Sequence, residues 1–324
     1  MAIALNSSTL VTVFGGSGFV GRYVVQALAR TGCRVRVAVR RPDLAGFLQP
    51  LGGIGQIHAV QANLRYESSI RRAVEGTDGV VNLVGILQQS GKQTFSAVQG
   101  AGAGLVARMA REAGARAFVH MSAIGANRSS SSRYARSKAE GEELVRRSFP
   151  GAVILRPSII FGPEDDFFNR FGAMARISPV MPLIGGGKTC FQPVHVGDVA
   201  QAVTAGLDGR AKPIFIYELG GPRAYSFRAL LDLIAEYTEH RRPYFPIPFW
   251  LAKLQGALLQ LLPNAPLTLD QVRLLQSDNL VSKEAVSEGR TLDALGIAPH
   301  AVEAIVPGYM VRFRPKGEFS LRSV

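Results

Sequence analysis

The sequence predicts a doubly wound α/β fold: a parallel sheet with helices on both faces, followed by a smaller C-terminal α/β lobe. Three observations carry that expectation. A short apolar run, Leu10–Phe14, leads through glycines at 15, 18 and 21 into a helical stretch, Tyr23–Ala29. Strand-like and helical runs then alternate through the first half of the chain, and such alternation requires crossover connections and hence parallel pairing. Past about residue 160 the texture changes to loops, glycines, prolines and short helices.

Leu10–Phe14 is apolar throughout apart from one threonine, as a strand buried on both faces requires. Arg34–Arg40 (RVRVAVR) alternates and reads as the second strand, Gln56–Gln61 as the third, Gly79–Gly85 (GVVNLVG) as the fourth and Ala117–Met121 (AFVHM) as the fifth. Helical stretches at Tyr23–Ala29, Ser68–Val74 and Gly102–Ala113 separate them. The polar loop Ser129–Ser132 precedes a helix over Tyr134–Arg147, and Val153–Leu155 opens a sixth strand that ends at Arg156-Pro157. Residues 1–160 are therefore expected to form the nucleotide-binding core. Residues 161–324 form the lobe, with strands that return to the core sheet and a peripheral docking segment. In that lobe Gln192–Val196 and Ile214–Leu219 read as strands, and Phe227–Thr238 as an amphipathic helix, with another helix starting at Val199. There is no internal repeat.

The chain has 324 residues, 47% hydrophobic and 19% charged, which suits a globular protein with a sizeable core. Its two cysteines, Cys33 and Cys190, have no metal-ligand spacing and imply free thiols in a reduced compartment. The start, MAIALNSSTL, lacks the basic and apolar regions of a signal peptide. A net charge of +13 suggests an acidic partner such as anionic lipid. The basic residues are scattered without interleaved aromatics, so no nucleic-acid module is expected. Pro246–Leu262 (PIPFWLAKLQGALLQLL) is apolar but interrupted by Lys253, Gln255 and Gln260. Its unbroken runs fall short of the ~20 residues that span a bilayer. It covers the protein's own core, lies in a membrane interface or docks on a partner.

The glycines carry the first chemical signal. A strand, a G-x-x-G-x-x-G turn and a helix make a dinucleotide cradle. Gly15 permits the tight turn, Gly18 lets the backbone approach a pyrophosphate, and Gly21 lets the helix pack closely on the strand. Free N–H groups at the helix start favour the anion. After the second strand, Arg40 and Arg41 stand where an acidic residue would bind the ribose 2′-hydroxyl of NAD. Two guanidinium groups there suit the 2′-phosphate of NADP instead. Tyr134 and Lys138, four apart at a helix start, share one face. A lysine there reaches the nicotinamide ribose, and its charge is expected to lower the phenol pKa so that the tyrosine exchanges protons. Ser122, just after the fifth strand, is placed to orient a carbonyl.

The chain resembles the short-chain dehydrogenase/reductase superfamily, in its extended, atypical branch. GGSGFVG (15–21), NLVG (82–85), Ser122, YARSK (134–138) and RPSIIFGPED (156–165) carry that likeness. Within it the chain is most similar to the complex I accessory-subunit group, alpha subcomplex subunit 9 of NADH:ubiquinone oxidoreductase and its bacterial relatives. GGSGFVGRYVV, SSSRYARSKAEGE, FGPEDDFFNRF, KTCFQPVHVGDVA, LTLDQVRLLQSDN (267–279) and GYMVRFRPKGEF (308–319) point there. The resemblance implies a Rossmann-type fold and NADP(H) as cofactor. It implies that Gly15, Ser17, Gly18, Phe19 and Val20 hold the pyrophosphate, and Arg40 and Arg41 the 2′-phosphate. Asn63 and Leu64 would flank the adenine, with Asn63 standing where many relatives have Asp. Val84 and Gly85 would line the ribose, Tyr134 and Lys138 would reach the nicotinamide ribose, and Pro157 to Ile159 the carboxamide.

In that group the nucleotide is held structurally, supporting assembly or stability. The resemblance therefore implies an accessory subunit with complex I subunits and an anionic membrane surface as partners. Its place would be peripheral, on the cytoplasmic face of a bacterial inner membrane or the mitochondrial matrix face. The alternatives are an NADPH-dependent reductase or epimerase using Ser122, Tyr134 and Lys138, and a redox sensor on the same nucleotide site. The asparagine that often supports proton relay in the fourth helix of extended members is missing from Gly100–Arg111. His195 reads as a packed or solvent-facing histidine. Glu164, Asp165 and Asp166 read as a solvated loop, and no metal site is expected.

Overall fold

A computed structural model describes residues 2–213, 215–262 and 265–315 of the chain. The apolar runs become strands β1 (Leu10–Phe14), β2 (Arg34–Val39), β3 (Ile57–Gln61), β4 (Gly79–Asn82), β5 (Ala117–Met121) and β6 (Val153–Pro157). With β7 (Ile216–Leu219) they form one seven-stranded sheet in the order β7-β6-β5-β4-β1-β2-β3. Every pairing is parallel. Val13 of β1 lies opposite Val37 on one side and Val81 on the other. All residues of β4 and β5 are buried, as central strands covered on both faces must be. The sheet order reverses between β1 and β4, so a crevice opens there at the C-terminal strand ends.

Helices α1 (Phe19–Arg30), α2 (Glu67–Val74), α3 (Gly102–Glu112) and α4 (Arg133–Ser148) follow in turn. Then come α5 (Phe167–Ile177), α6 (Val196–Asp208), α7 (Phe227–Thr238), α8 (Phe249–Leu259), α9 (Leu269–Leu274), α10 (Lys283–Ser287) and α11 (Val302–Met310). One sheet face packs Phe14 and Phe118 against Ile70 of α2, Val106 of α3 and Val145 of α4. Val119 points the opposite way, toward α6: a methyl group added at Gly206 would lie 2.7 Å from Val119 Cγ2. Successive residues of β5 thus serve cores on both faces, and α1 packs beside α6.

The chain divides into two compact units. The first comprises Met1–Pro157, Val196–Leu219 and Ser282–Ala298; the second comprises Ser158–His195, Gly220–Val281 and Pro299–Val324. The return of α6 and β7 to the first unit gives the sheet its seventh strand. The second unit is built on Phe161, Phe168, Leu230, Ile234, Val306 and Met310. Short strands tie it together. Ile160–Phe161 pairs in parallel with Val194–His195, Met181–Ile184 pairs in parallel with Tyr244–Ile247, and Cys190–Phe191 pairs antiparallel with Tyr225–Ser226. Cys33 and Cys190 are both free thiols.

Several sequence expectations shift. The helix after the glycine turn begins at Phe19 rather than Tyr23, and α6 begins at Val196 rather than Val199. The strand expected over Gln192–Val196 is only Val194–His195, set apart from an earlier short strand, Cys190–Phe191, by Pro193, which has no N–H for a continuous ladder. Ile214, the expected start of β7, and Lys316 onward in the tail motif lie outside the described residues. Asp165 is buried rather than solvated. Its carboxylate accepts from the N–H of Phe168 (2.7 Å), Asn169 (3.2 Å) and Gly162 (3.1 Å) and from the Tyr309 hydroxyl (2.5 Å). Burial pushes its pKa up against those hydrogen bonds.

The seam between α3 and α4 sets the site geometry described below. Gly141 of α4 rides on the backbone just before α3: an added methyl would fall 2.0 Å from Gln99 O. In an exposed helix, alanine is favoured over glycine by about 1 kcal/mol. Here the clash reverses the sign. Gly141→Ala is expected to destabilise by about 2–3 kcal/mol, the cost of overpacking a fixed contact. Urea unfolding with an unchanged m-value checks it.

Candidate functional site

Gly15 follows β1 with φ +78°, a conformation that glycine alone adopts at little cost. Its N–H donates to Ala38 O (3.1 Å), and Gly18 N–H closes the turn on Gly15 O (3.1 Å). A methyl at Gly21 would lie 2.3 Å from Gly15 O, so α1 can pack on the turn only through a glycine. A methyl at Gly18 would meet only Gly15 O, at 3.3 Å, and position 18 is exposed. The second glycine thus faces the open side, where a ligand's phosphates would approach. α1 starts there without a side-chain cap and without an acidic residue in its first turn. Backbone N–H groups and the positive end of the helix therefore face the same place. Ser17, Phe19 and Val20 are half-buried around it. Gly16 also has a packing reason that spacing did not signal: a methyl there would press on Val37 Cγ1 at 2.8 Å. These features fit a dinucleotide pyrophosphate.

Arg40 and Arg41 follow β2 and are exposed. Arg41 forks onto Asp43, with Nε to Oδ1 at 3.0 Å and Nη2 to Oδ2 at 2.7 Å. That hydrogen bonding holds the Asp43 carboxyl below its ordinary range. After β3, Asn63 Oδ1 accepts from the Arg65 N–H (3.1 Å), while Ser69 Oγ accepts from the Asn63 N–H (3.0 Å). The acceptor at position 63 is thus used within its own loop, and Leu64 packs on the α2–α4 core.

Val84 and Gly85 follow β4, across the point where sheet order reverses. A methyl at Gly15 would touch Val84 Cγ2 at 3.3 Å; one at Gly85 would lie 3.4 Å from Lys138 Nζ. The glycine turn, the β4 loop and the lysine of α4 are therefore assembled in one row. Ser132 caps α4 by accepting from the Ala135 N–H (3.2 Å), which fixes Tyr134 in the first turn. Lys138 Nζ donates to Met121 O (3.0 Å) and lies 5.8 Å from the centre of the Tyr134 ring. Phe95 meets that ring edge-on at 5.8 Å.

The electrostatics differ from the expectation. Burial pushes the Tyr134 hydroxyl up to about 12 and pulls Lys138 down to about 8, with Glu142 opposing the latter. The ammonium lies over the ring and is held by a backbone carbonyl, and burial dominates the tyrosine's shift. Ser122 departs as well. Its hydroxyl donates to Glu142 Oε1, and Glu142 is gripped by Arg156 through Nε (2.8 Å) and Nη2 (2.6 Å). Glu218 lies 3.7 Å from Arg156 Nη1. The serine hydroxyl belongs to a buried ion cluster, not to the Tyr134–Lys138 pair.

Pro157 closes β6 in the first unit. In the second, Asn279 Oδ1 accepts from the Ser158 hydroxyl (2.6 Å) and the Ile159 N–H (3.2 Å). His195 is half-buried against Phe161 and His300.

Two polar residues escaped sequence reasoning. Gln99 lies in a π-helical turn, Ser96–Ala101, one residue before Gly100–Arg111, where an asparagine would be expected. Its Oε1 accepts from the Ile86 N–H (2.9 Å), and its Nε2 donates to Ser137 Oγ (2.9 Å). It fixes the β4 loop to α4. A lone glutamine in a run of small residues was the available signal. His120, fully buried in β5, lies 3.3 Å from Asn82 Nδ2 through Nδ1, and its Nε2 has no partner among the described residues. Burial, then the Lys138 charge, lower its pKa to about 3.

That histidine sets a pH dependence. Below pH 6.5, its ordinary pKa, the unfolded chain takes up a proton that the folded state refuses down to about pH 3. Its contribution therefore lowers stability as pH falls, by roughly 2–3 kcal/mol at pH 4.5. His120→Gln is expected to flatten the fall in unfolding free energy between pH 7 and 4.5 by about that amount. Wild-type and variant curves that run parallel would refute it.

Residues 11–220 match the NAD dependent epimerase/dehydratase family. The chain is 33% identical over 323 residues to the NADH dehydrogenase [ubiquinone] 1 alpha subcomplex subunit 9, mitochondrial, of Arabidopsis thaliana, covering 96% of this chain and 79% of that protein. It is 34% identical over 203 residues to a ceramide reductase of Caulobacter vibrioides, covering 63% of this chain and 62% of that one. Among solved structures, the Escherichia coli NADPH-dependent quinone oxidoreductase QOR2 complexed with NADPH superposes with a TM-score of 0.71 at 18% identity, over 93% of this chain and 99% of that chain. That likeness is one of fold. The glycine turn at the sheet's reversal point and the match over most of the chain place it: the protein belongs to the NAD dependent epimerase/dehydratase family, in the group of the alpha subcomplex subunit 9 proteins.

Proposed function

We propose that this chain is an NADP(H)-binding accessory subunit of respiratory complex I, in which the nucleotide is mainly structural. One contrast within the site carries this reading: the phosphate turn is complete, whereas the proton-transfer set is not. Gly15, Gly18 and Gly21 each meet the geometric demand of a pyrophosphate cradle. Ser122, by contrast, is committed to Glu142, and Tyr134 is pushed up to about 12. The comparison supports the same reading, because likeness to the complex I subunit spans 96% of the chain and likeness to the ceramide reductase 63%.

In this reading Gly15, Ser17, Gly18, Phe19 and Val20 hold the pyrophosphate. Arg40 and Arg41 hold the 2′-phosphate, with Asp43 as a competitor for Arg41. Val84 and Gly85 line the ribose, and Lys138 and Tyr134 reach the nicotinamide ribose. When bound, a nicotinamide supplies a hydride donor or acceptor. The residues bind and orient the ligand, and a ligand that binds only the folded state stabilises it by mass action. No helix among the described residues is long and apolar enough to cross a membrane. A peripheral position, on the cytoplasmic face of a bacterial inner membrane or the matrix face of a mitochondrial one, follows from the complex I reading.

A second reading is an NADPH-dependent reductase or epimerase. It is favoured by the intact Tyr134–Lys138 pair on one helix face. Tyr134→Phe would then abolish turnover while leaving nucleotide binding intact.

Denaturing the purified protein is expected to release close to one NADPH per chain that has survived gel filtration, and the protein is expected to co-purify with complex I subunits in mild detergent. Nucleotide-free protein that binds weakly and reversibly, recovered as a free monomer, would overturn the structural role. In Arg40→Glu/Arg41→Glu, NADPH affinity is expected to fall at least about tenfold more than NADH affinity, since each charged hydrogen bond contributes about 1.5–3 kcal/mol. Equal losses for both nucleotides would contradict the assigned 2′-phosphate site.

A further inference from the structure

We infer that the exposed face of α8 is an interfacial anchor that lies in an anionic lipid surface. The inference deepens the accessory-subunit reading and rests on it for the membrane's presence. α8 is apolar apart from Lys253 and Gln255, a composition close to that of buried helices. Only one side is buried. Ala252 and Gly256 pack inward, where a methyl at Gly256 would lie 2.8 Å from Leu269 N of α9, and Ala252 joins Ile184, Ile247 and Val272 in a small core. The other side carries Trp250, Leu254 and Leu258, respectively 70%, 54% and 62% exposed. The chain then makes one further hydrogen-bonded turn, Leu261 N–H to Leu258 O and Leu262 N–H to Leu259 O. That turn adds Leu261 and Leu262, both exposed, to the stripe. Positions 250, 254, 258 and 261 follow helical spacing and form a continuous row.

The choice of occupant rests on charge and length. From His240 to Leu262 there is no acidic residue, while Arg241, Arg242 and Lys253 are cationic. An apolar row on a segment whose own charges are all cationic complements a surface whose apolar layer lies beneath anionic headgroups. Tryptophan is a residue of that boundary. The eleven residues of α8 span about 16 Å, about half of a bilayer's ~30 Å apolar thickness. The helix therefore lies along the surface.

Trp250 is the only tryptophan in the chain, so its fluorescence reports on this face alone. The full-length protein is mixed with phosphatidylcholine vesicles, with or without phosphatidylglycerol. The expected result is a blue shift of emission and co-flotation with the anionic vesicles only, reversed by salt. Leu254→Glu/Leu258→Glu should weaken flotation at least about tenfold, the loss of two apolar contacts to the lipid, with nucleotide content unchanged. Arg241→Glu/Lys253→Glu should abolish the preference for anionic vesicles. An unshifted Trp250 with anionic vesicles overturns the inference, as does equal binding to neutral ones. Release of the leucine variant from complex I with no vesicle binding by wild type would assign the face to a protein and also overturn it. Failure of vesicle binding alongside intact co-purification with complex I subunits strikes this inference alone. Vesicle binding by a protein that never co-purifies with them strikes the accessory-subunit reading instead.

Discussion

The close contact of α1 with the turn after β1 is the constraint on which the first unit depends. No side chain fits between Gly21 and Gly15 O, where even a methyl would come within 2.3 Å. That contact sets the direction of α1 and leaves its N-terminus at the crevice where the sheet order reverses. Gly15 then abuts Val84, and Gly85 lies beside Lys138, so the turn, the β4 loop and α4 are placed relative to one another by glycines. The same device recurs at the α3–α4 seam, where Gly141 rides on Gln99 O. Binding geometry here is mostly a matter of where the backbone can come close.

Around that scaffold, the polar groups divide into two sets. Asn82, Gln99, Ser137 and Lys138 bridge strands, loop and helix and hold the nucleotide side of the site in shape. Ser122, Glu142, Arg156 and Glu218 form a separate buried cluster. A charge buried inside a protein needs a partner of opposite sign, since an unpaired one is very costly. Arg156 therefore holds Glu142, and Glu142 in turn captures the nearest hydroxyl, that of Ser122. The residue that would have served a carbonyl substrate serves the ion cluster.

The second unit has a different economy of surface. Its core includes a group of phenylalanines, in which Phe227 meets Phe167, Phe171 and Phe191 edge-on. Asp165 satisfies three backbone N–H groups and the Tyr309 hydroxyl. α8 then leaves large apolar groups in solvent, where each exposed leucine forgoes the free energy of burial. One unit thus supplies a ligand cradle and the other an apolar face.

The sequence by itself determined the elements whose pattern is local. Alternation and apolar runs located β1 and β5 to the residue, and glycine spacing located the turn, because strand period and positive φ are properties of short segments. Helical period located α7 in the same way, from Phe227 to Thr238. Only the tertiary structure decided which way side chains commit. Ser122 faces Glu142, twenty residues on, and Asp165 faces Tyr309, far along the chain; neither pairing leaves a trace in spacing. Gln99 stands one residue before Gly100–Arg111, and its role depends on a π-helical turn that composition does not encode. The upward push on the tyrosine follows from burial, and the lysine's hydrogen bond to Met121 O from the placement of α4 beside β5; neither is visible to any motif. Whether the apolar stretch near residue 250 covered a core or faced outward depended on how many neighbours packed against it. Folding covered one side, at Ala252 and Gly256, and left the row from Trp250 to Leu262 bare.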